Sequence, residues 1–120
     1  MNGNDIVIVS ATRTAIGKFG GQFATTSAIE LGTTVAKTAI QKANLSPEQI
    51  DTVIFGNVLQ AGLGQNPSRQ VGLGAGLNHA STAVTVNEVC GSGLKAIISA
   101  AQAIRLGDAK IVLAGGMENM

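Results

Sequence analysis

The chain has 120 residues, with eight Lys and Arg against seven Asp and Glu and a single Cys. This length suits one domain with a buried core, taken here as residues 1–120. The balanced charge is spread without blocks, so we expect no nucleic-acid partner and no membrane surface. A lone cysteine forms no internal disulfide, so it is either a packing residue or a reactive thiol in a reducing compartment. The N-terminal apolar run is too short for a signal or a membrane span, and we expect a cytoplasmic protein.

The first half of the sequence predicts a strand, then a helix, then a second strand. The run DIVIVSA at 5–11 is short, apolar and rich in β-branched residues, as a strand covered on both faces tends to be. Residues 27–43 predict a helix, because Ser27 and Glu30 have capping-box spacing and apolar residues then recur at helical intervals. The run TVIFGNV at 52–58 predicts the next strand.

The second half predicts two further helices and two further strands. Asn66-Pro67 has the cap-then-proline form of a helix start, although three glycines in the following segment weaken that helix. The runs at 83–89 and 110–116 predict strands. The helix predicted between them, at 90–106, stops at Gly107. One face of this helix carries Leu94, Ile97, Ile98, Ala101 and Ile104.

This alternating order predicts an α/β fold with a mostly parallel sheet, right-handed crossovers and helices on both faces. The third helix has an unusually wide apolar surface, because Ala96, Ala100 and Ala103 extend it and the polar residues form only a narrow stripe. We therefore expect this helix to be buried on two sides, between two sheets.

The only cysteine, Cys90, stands where the third predicted strand gives way to the third predicted helix. Functional groups of parallel α/β proteins collect at such points, because the first amides of a helix are unpaired and its positive end favours a thiolate. Gly91 and Gly93 would allow a tight turn without crowding the sulfur, and the Cys90 amide can donate to an oxyanion on an acyl group. Glu88 opposes a thiolate if its side chain shares this face. From spacing alone, an acyl-accepting nucleophile and a small packing residue remain equally open.

The segment VNEVCGSGLKA at 86–96 closely resembles the N-terminal active-site motif of the thiolases. Three further segments match that family in the same order, namely ATRTAIGKFGG at 11–21, GNVLQAGLGQNPSRQ at 56–70 and AGGMENM at 114–120. Ala15 and Ser68 depart from the family pattern, where many members have proline and alanine, but neither touches the expected chemistry. The resemblance covers nearly the whole chain and is greatest to the biosynthetic members, the acetyl-CoA acetyltransferases.

The resemblance implies an acyltransferase that joins two acetyl-CoA into acetoacetyl-CoA and CoA, and that runs the reverse thiolysis. Cys90 would carry the acyl group as a thioester. Coenzyme A thioesters would be the substrates, with no cofactor and no metal, in a homodimer or homotetramer when complete. Residues 1–120 would form an incomplete N-terminal domain of an αβαβα layered architecture. The family's activating histidine, second cysteine and asparagine–water oxyanion site lie beyond these residues, so we expect the chain alone to be inactive.

Other candidate residues have simpler interpretations. His79, the only histidine, is a candidate base for Cys90, but the resemblance places the activating histidine elsewhere and favours an ordinary loop residue. The remaining candidates could line the site or a subunit interface, with a solvated loop role equally open, and they are Arg13, Gln65, Asn66 and Arg69.

Two other functions remain open beside that of a thiolase. A condensing enzyme of the ketoacyl synthase kind shares the fold and a cysteine at a helix start but uses a decarboxylating donor, and the residues around Cys90 disfavour it. The second alternative is a non-catalytic truncated domain that is stable only in association with a partner.

Overall fold

The structure, a computed structural model that describes residues 2–120, contains three helices and three strands. In chain order they are α1 (Ala28–Lys42), β1 (Thr52–Gly56), α2 (Pro67–Gly74), β2 (Thr82–Val86), α3 (Ser92–Leu106) and β3 (Val112–Gly116). A single turn of 3-10 helix, Pro47–Gln49, precedes β1. The predicted α/β fold with a parallel sheet and helices on both faces is confirmed. Within residues 2–120 no helix combines the length and apolar character needed to cross a membrane.

The sheet has the strand order β2-β1-β3, and both strand pairs are parallel. The chain passes from β1 to β2 through α2, then back past β1 to β3 through α3. Right-handed crossovers that run in opposite directions place their helices on opposite faces of a sheet. Accordingly Val53 and Phe55 of β1 pack against α1 and α2, whereas Ile54 packs against α3. The central strand β1 is therefore buried on both faces.

Local signals for helix ends are confirmed. Ser27 caps α1, since its hydroxyl accepts from the Glu30 amide (3.1 Å) while the Glu30 carboxylate accepts from the Ser27 amide (2.6 Å). Pro67 begins α2, and Gly107 ends α3 in the left-handed conformation with φ 83°. These signals were readable because each depends on residues within one turn.

The predicted strand at 5–11 is wrong. This segment forms no strand in the part of the chain that the structure describes, and the side chains of Val7, Ile8 and Val9 are 50%, 74% and 66% exposed. A β-branched sequence forms a strand only where a neighbouring strand accepts and donates its backbone hydrogen bonds. The segment pairs with neither β2 nor β3, the two edges of the sheet.

The two apolar sides of α3 have different surroundings in the part of the chain that the structure describes. Ala96 and Ala100 face the sheet, packed around Ile54, whereas Leu94, Ile97 and Ile98 are 64%, 42% and 44% exposed. The reason is the closeness of the helix: a Cβ added to Gly56 would lie only 2.5 Å from the Ser92 carbonyl oxygen. Only small side chains fit in so narrow a space, so the large ones occupy the outer side. Residues 2–120 cover α3 on one side only, and its predicted burial between two sheets is not seen in this structure.

Asp51 holds the beginnings of all three strands together. Its carboxylate accepts from the Lys110 amide (2.7 Å) and the Ile111 amide (3.0 Å). Its own amide donates to the Ile111 carbonyl (3.0 Å), and its carbonyl accepts from the Thr82 amide (3.2 Å). The backbone hydrogen bonds from Ile111 and then Lys110 lower the pKa of the Asp51 carboxyl.

We expect Asp51→Asn to destabilise the chain at neutral pH, because the amide is a weaker acceptor than the carboxylate. A lowered folded-state pKa means that this stabilisation is present above the ordinary value of 3.8 and is lost as the pH falls through the folded-state pKa. Urea midpoints of the parent and variant should therefore differ at pH 7 and converge in acid. A constant difference over this range would contradict the role of the charge.

We expect Gly56→Ala to destabilise the chain by about 1–3 kcal/mol or to displace α3, because the new methyl group overlaps the Ser92 backbone. Gly93→Ala is the matched control, since a Cβ there would lie an ordinary 3.8 Å from Gly116 Cα. Urea unfolding of both variants checks this, and equal midpoints would show that the close approach is not needed.

Candidate active site

Cys90 lies between β2 and α3, at the edge of the sheet where the parallel strands end. It is exposed and lines an open cleft of about 520 Å³. One wall of this cleft comes from Val58 and Leu59 after β1, and another from the segment 116–118 at the end of β3. The structure thus places Cys90 at the carboxyl ends of the strands, where ligands of open parallel sheets bind.

The turn that presents Cys90 is fixed by Ser92. The Ser92 hydroxyl donates to the Val89 carbonyl (2.6 Å) and accepts from the Glu88 amide (2.8 Å). The amides of Gly91 and Ser92 donate to the carbonyls of Glu88 and Val89, both at 3.1 Å. Ser92 is only 4% exposed, so its hydroxyl is devoted to this turn. The role of Ser92 was not predicted from the sequence, although a serine near the start of a predicted helix is a common signal for such local bonding.

Val89, just before the cysteine, adopts the left-handed conformation with φ 52°. This region is unfavourable for a β-branched residue and costs on the order of 1–3 kcal/mol, which the surrounding structure must offset. The two hydrogen bonds of the Ser92 hydroxyl hold the turn in this conformation. The valine itself gives no sequence signal for it, because glycine or asparagine is the residue expected at a positive φ.

Gly91 and Gly93 flank Ser92, as the sequence indicates, but neither has a left-handed backbone. A Cβ at Gly91 would lie 3.4 Å from the Glu88 carbonyl oxygen, an ordinary contact. The crowded positions are in the strands beneath them, where a Cβ added to Gly116 would lie 3.1 Å from Gly93 Cα. The strand glycines Gly56 and Gly116 therefore permit the close seating of the helix start. The expected role of Gly91 and Gly93, leaving the sulfur uncrowded, stays a prediction.

The backbone around Cys90 offers hydrogen-bond donors to an anion. Within residues 2–120 the Cys90 amide donates to no backbone or side-chain acceptor, whereas the amides of Gly91 and Ser92 are engaged in the turn. The first turn of α3 adds the positive end of the helix dipole. Glu88, the nearby carboxylate, pairs with Lys95 (3.5 Å), which offsets its charge. An exposed thiol beside a free amide can accept an acyl group and stabilise an oxyanion on it.

A second carboxylate, Glu118, organises the opposite wall of the cleft. Its Oε1 accepts from Asn57 Nδ2 (3.1 Å) and from the Leu59 amide (3.0 Å), and its Oε2 accepts from the Val58 amide (2.9 Å). Asn57 is fully buried, and its Nδ2 also donates to the Met117 carbonyl (3.1 Å). Neither residue was predicted from the sequence. The available signal was that Asn57 directly follows β1 and Glu118 lies two residues after β3, at the carboxyl ends of paired parallel strands.

His79 lies in the turn before β2, whereas Cys90 follows the other end of that strand. A five-residue strand spans roughly 16 Å, so His79 and Cys90 lie near opposite ends of β2 and form no dyad. The His79 carbonyl accepts from Arg69 (3.0 Å), which also donates to the Ser81 carbonyl (2.7 Å). Arg69 therefore supports a turn and has no part in the cleft.

The other polar candidates also lie outside the cleft. Asn66 donates to the Ala83 carbonyl (3.1 Å) and accepts from the Thr85 hydroxyl (2.7 Å), so it joins α2 to β2. Arg13 and Gln65 are exposed in loops. Among residues 2–120 no group of His, Cys, Asp and Glu side chains is arranged to hold a metal ion.

The sequence of this chain is similar to those of several named proteins. Residues 6–120 match the profile described as thiolase, N-terminal domain. The chain is 60% identical over 114 residues to an acetyl-CoA acetyltransferase of Escherichia coli, covering 95% of this chain and 29% of the relative. It is 55% identical over 115 residues to a cytosolic acetyl-CoA acetyltransferase of Mus musculus, covering 96% of this chain and 29% of the relative.

Solved structures agree with these matches. The Acat5 thiolase of Ascaris suum, in complex with coenzyme A, superposes with a TM-score of 0.89 and 46% identity, over 91% of this chain and 28% of that one. The acetyl-CoA acetyltransferase of Bacillus anthracis gives a TM-score of 0.88 and 37% identity, over 92% and 28%. The chain spans about 30% of the length of the relatives it matches. Its sequence over residues 6–120 and its fold show that the chain belongs to the thiolase family.

Proposed function

We propose that this chain carries the acyl-accepting nucleophile of an acetyl-CoA C-acetyltransferase, and that the nucleophile is Cys90. The observation that carries the proposal is the placement of an exposed thiol at the start of α3, on a strained turn, facing a cleft beside an unengaged amide. Relatives with 55–60% identity bear the name acetyl-CoA acetyltransferase. An acetyltransferase of this kind needs a nucleophile that attacks a thioester carbonyl, and the thiolate of Cys90 is the side chain best suited to that step.

In the first half-reaction the Cys90 thiolate attacks the carbonyl carbon of acetyl-CoA. A bond forms from Sγ to this carbon, the negative charge passes to the carbonyl oxygen, and the Cys90 amide donates to that oxygen. Collapse of the adduct breaks the bond to the coenzyme A sulfur, which leaves as a thiolate and is protonated. The product is an acetyl thioester on Cys90, whose carbonyl stays electrophilic.

In the second half-reaction the α-carbon of another acetyl-CoA, having lost a proton, attacks the acetyl group on Cys90. A carbon–carbon bond forms, the Cys90 sulfur leaves, and acetoacetyl-CoA is released; thiolysis is the reverse. The proposal includes the activating histidine, second cysteine and asparagine–water site that the family resemblance places beyond these residues. Neither half-reaction needs a metal or an organic cofactor, because the thioester itself activates both carbonyl groups.

The proposal extends to assembly and location. We propose a homodimer or homotetramer. We also propose that the exposed apolar side of α3 is covered by the second sheet of the αβαβα architecture. Action in the cytoplasm is supported by the mouse relative, which is named as cytosolic. Residues 1–120 would form the N-terminal domain, as the profile match over residues 6–120 supports.

We expect Cys90→Ser to abolish acetyl transfer, lowering turnover by more than about 10³-fold, because an alkoxide is far harder to generate at neutral pH. The measurement uses a chimaera that joins residues 1–120 to the part of the Escherichia coli acetyl-CoA acetyltransferase beyond the matched segment. Mass spectrometry after incubation with acetyl-CoA should place one acetyl group on the peptide that contains Cys90.

The same experiment separates the alternatives. An acetyl group on another residue, with Cys90 free, would overturn the assignment. Condensation that requires a malonyl donor and releases carbon dioxide would favour a ketoacyl synthase. A parent chimaera that folds but neither acetylates nor condenses would favour a non-catalytic domain. Residues 1–120 alone should show no thiolysis above a Cys90→Ser control.

We expect Ser92→Ala to cost about 0.5–1.5 kcal/mol of stability, because it removes the acceptor of the part-buried Glu88 amide and the donor to the Val89 carbonyl. The released turn should also slow acetylation of Cys90. Ser99→Ala, on the same helix and without a side-chain hydrogen bond in the structure, is the control. Urea midpoints and acetylation rates in the chimaera measure both effects. A Ser92→Ala variant that behaves like the control would show that the turn does not need the Ser92 hydroxyl.

A further inference from the structure

We propose that Glu118 is a positioning residue that sets the shape of the cleft in which Cys90 reacts. Its carboxylate and the three donors that converge on it, Asn57 Nδ2 and the amides of Val58 and Leu59, are called here the Glu118 clamp. The three distances lie between 2.9 and 3.1 Å, so every donor is well bonded. As a statement about acetyl transfer, this rests on the proposed function above.

The Glu118 clamp joins two segments that lie about 60 positions apart in the chain. Val58 and Leu59 line the cleft together with Cys90 and with Glu118 itself. The loop after β1 has no regular secondary structure at 57–60, so its backbone amides need acceptors from elsewhere. The Glu118 carboxylate supplies acceptors for two of them and so ties this wall of the cleft to the segment after β3.

A carboxylate is the side chain that the Glu118 clamp requires. Two oxygens accept from three donors, and hydrogen bonds to a charged acceptor are the stronger kind. Glutamine would turn its own NH₂ group toward one of the backbone amides, so that two donors would face each other. Aspartate keeps the charge but is shorter by one methylene group, so it cannot reach all three donors from the same backbone.

The role is positioning rather than proton transfer. Both oxygens of Glu118 already accept hydrogen bonds from the loop. The turn that carries Cys90 is held by a different set of bonds, those of the Ser92 hydroxyl. Loss of the clamp should therefore move the opposite wall of the cleft while the thiol keeps its own reactivity. A residue needed only for folding would impair both together.

The first test needs no activity and uses the 120-residue chain. Hydrogen exchange is followed at the amides of Val58 and Leu59 in the parent, in Glu118→Gln and in Glu48→Gln, a control that removes an exposed carboxylate remote from the cleft. We expect exchange at both amides to quicken about tenfold or more in Glu118→Gln alone, since hydrogen bonds to a charged acceptor are lost. Alkylation of Cys90 by iodoacetamide should proceed at the parent rate. Unchanged exchange at Val58 and Leu59 would overturn the proposal.

The second test uses the chimaera described above, with acetyl-CoA as the probe. We expect Glu118→Gln to lower kcat/KM by roughly 10- to 100-fold, mainly through KM, in a variant whose thermal midpoint falls by only a few degrees and which stays folded in the assay. Glu118→Asp, which keeps the charge, should recover part of this loss. An unchanged kcat/KM in a variant whose loop amides exchange faster would overturn the positioning role. An inactive parent chimaera would count against the proposed function, while the exchange measurement would still decide on the clamp.

Discussion

The close approach of the first residue of α3 to the last residue of β1 is the contact on which the site depends. Because Gly56 has no side chain, the Ser92 backbone occupies the space where a Cβ would stand. This approach brings the start of the helix to the carboxyl ends of the strands, and with it the turn that carries Cys90. It also restricts the sheet-facing side of α3 to alanines. One missing side chain thus determines both where the thiol lies and which residues the helix can bury.

The two supports of the site differ in kind. The Cys90 turn is local, since its hydrogen bonds join residues no more than four apart, between Glu88 and Ser92. The opposite wall is held by Glu118, which contacts a loop that leaves the sheet about 60 residues earlier. The nucleophile can therefore take its orientation from a short segment, whereas the cleft around it forms only once β1 and β3 are paired. Reactivity and substrate position are separable properties in this arrangement.

This difference also explains how much could be predicted from sequence. The cap at Ser27, the helix start at Pro67 and the stop at Gly107 were readable because short-range hydrogen bonding decides them. Cys90 was found for the same reason, at a boundary between two local patterns. The strand at 5–11 failed because pairing depends on a neighbour elsewhere in the chain. Glu118 was overlooked since its position after a strand indicates only which end of the sheet it occupies, and not that its carboxylate reaches three donors in another loop.

The wide apolar surface of α3 could be predicted from the sequence, but not which side of it would face this sheet. Periodicity shows that Leu94, Ile97 and Ile98 share a side of the helix, but it does not show how near each side lies to the sheet. The side that comes nearest carries the smallest residues, because distance rather than hydropathy selects them. A wide apolar surface on a helix therefore leaves two orientations open, and the glycines in the strands decide between them.

The unequal composition of the two sheet faces has a consequence for the order in which the molecule loosens. One face is filled by large side chains, among them Phe55, Val71 and Met117, while the α3 face relies on Ile54 and two alanines. Alanine loses no rotamer freedom on burial, so α3 docks at little entropic cost, but it also removes little apolar surface from water. Within residues 2–120, α3 thus buries less apolar surface against the sheet than the α1–α2 side does, and we expect it to open first.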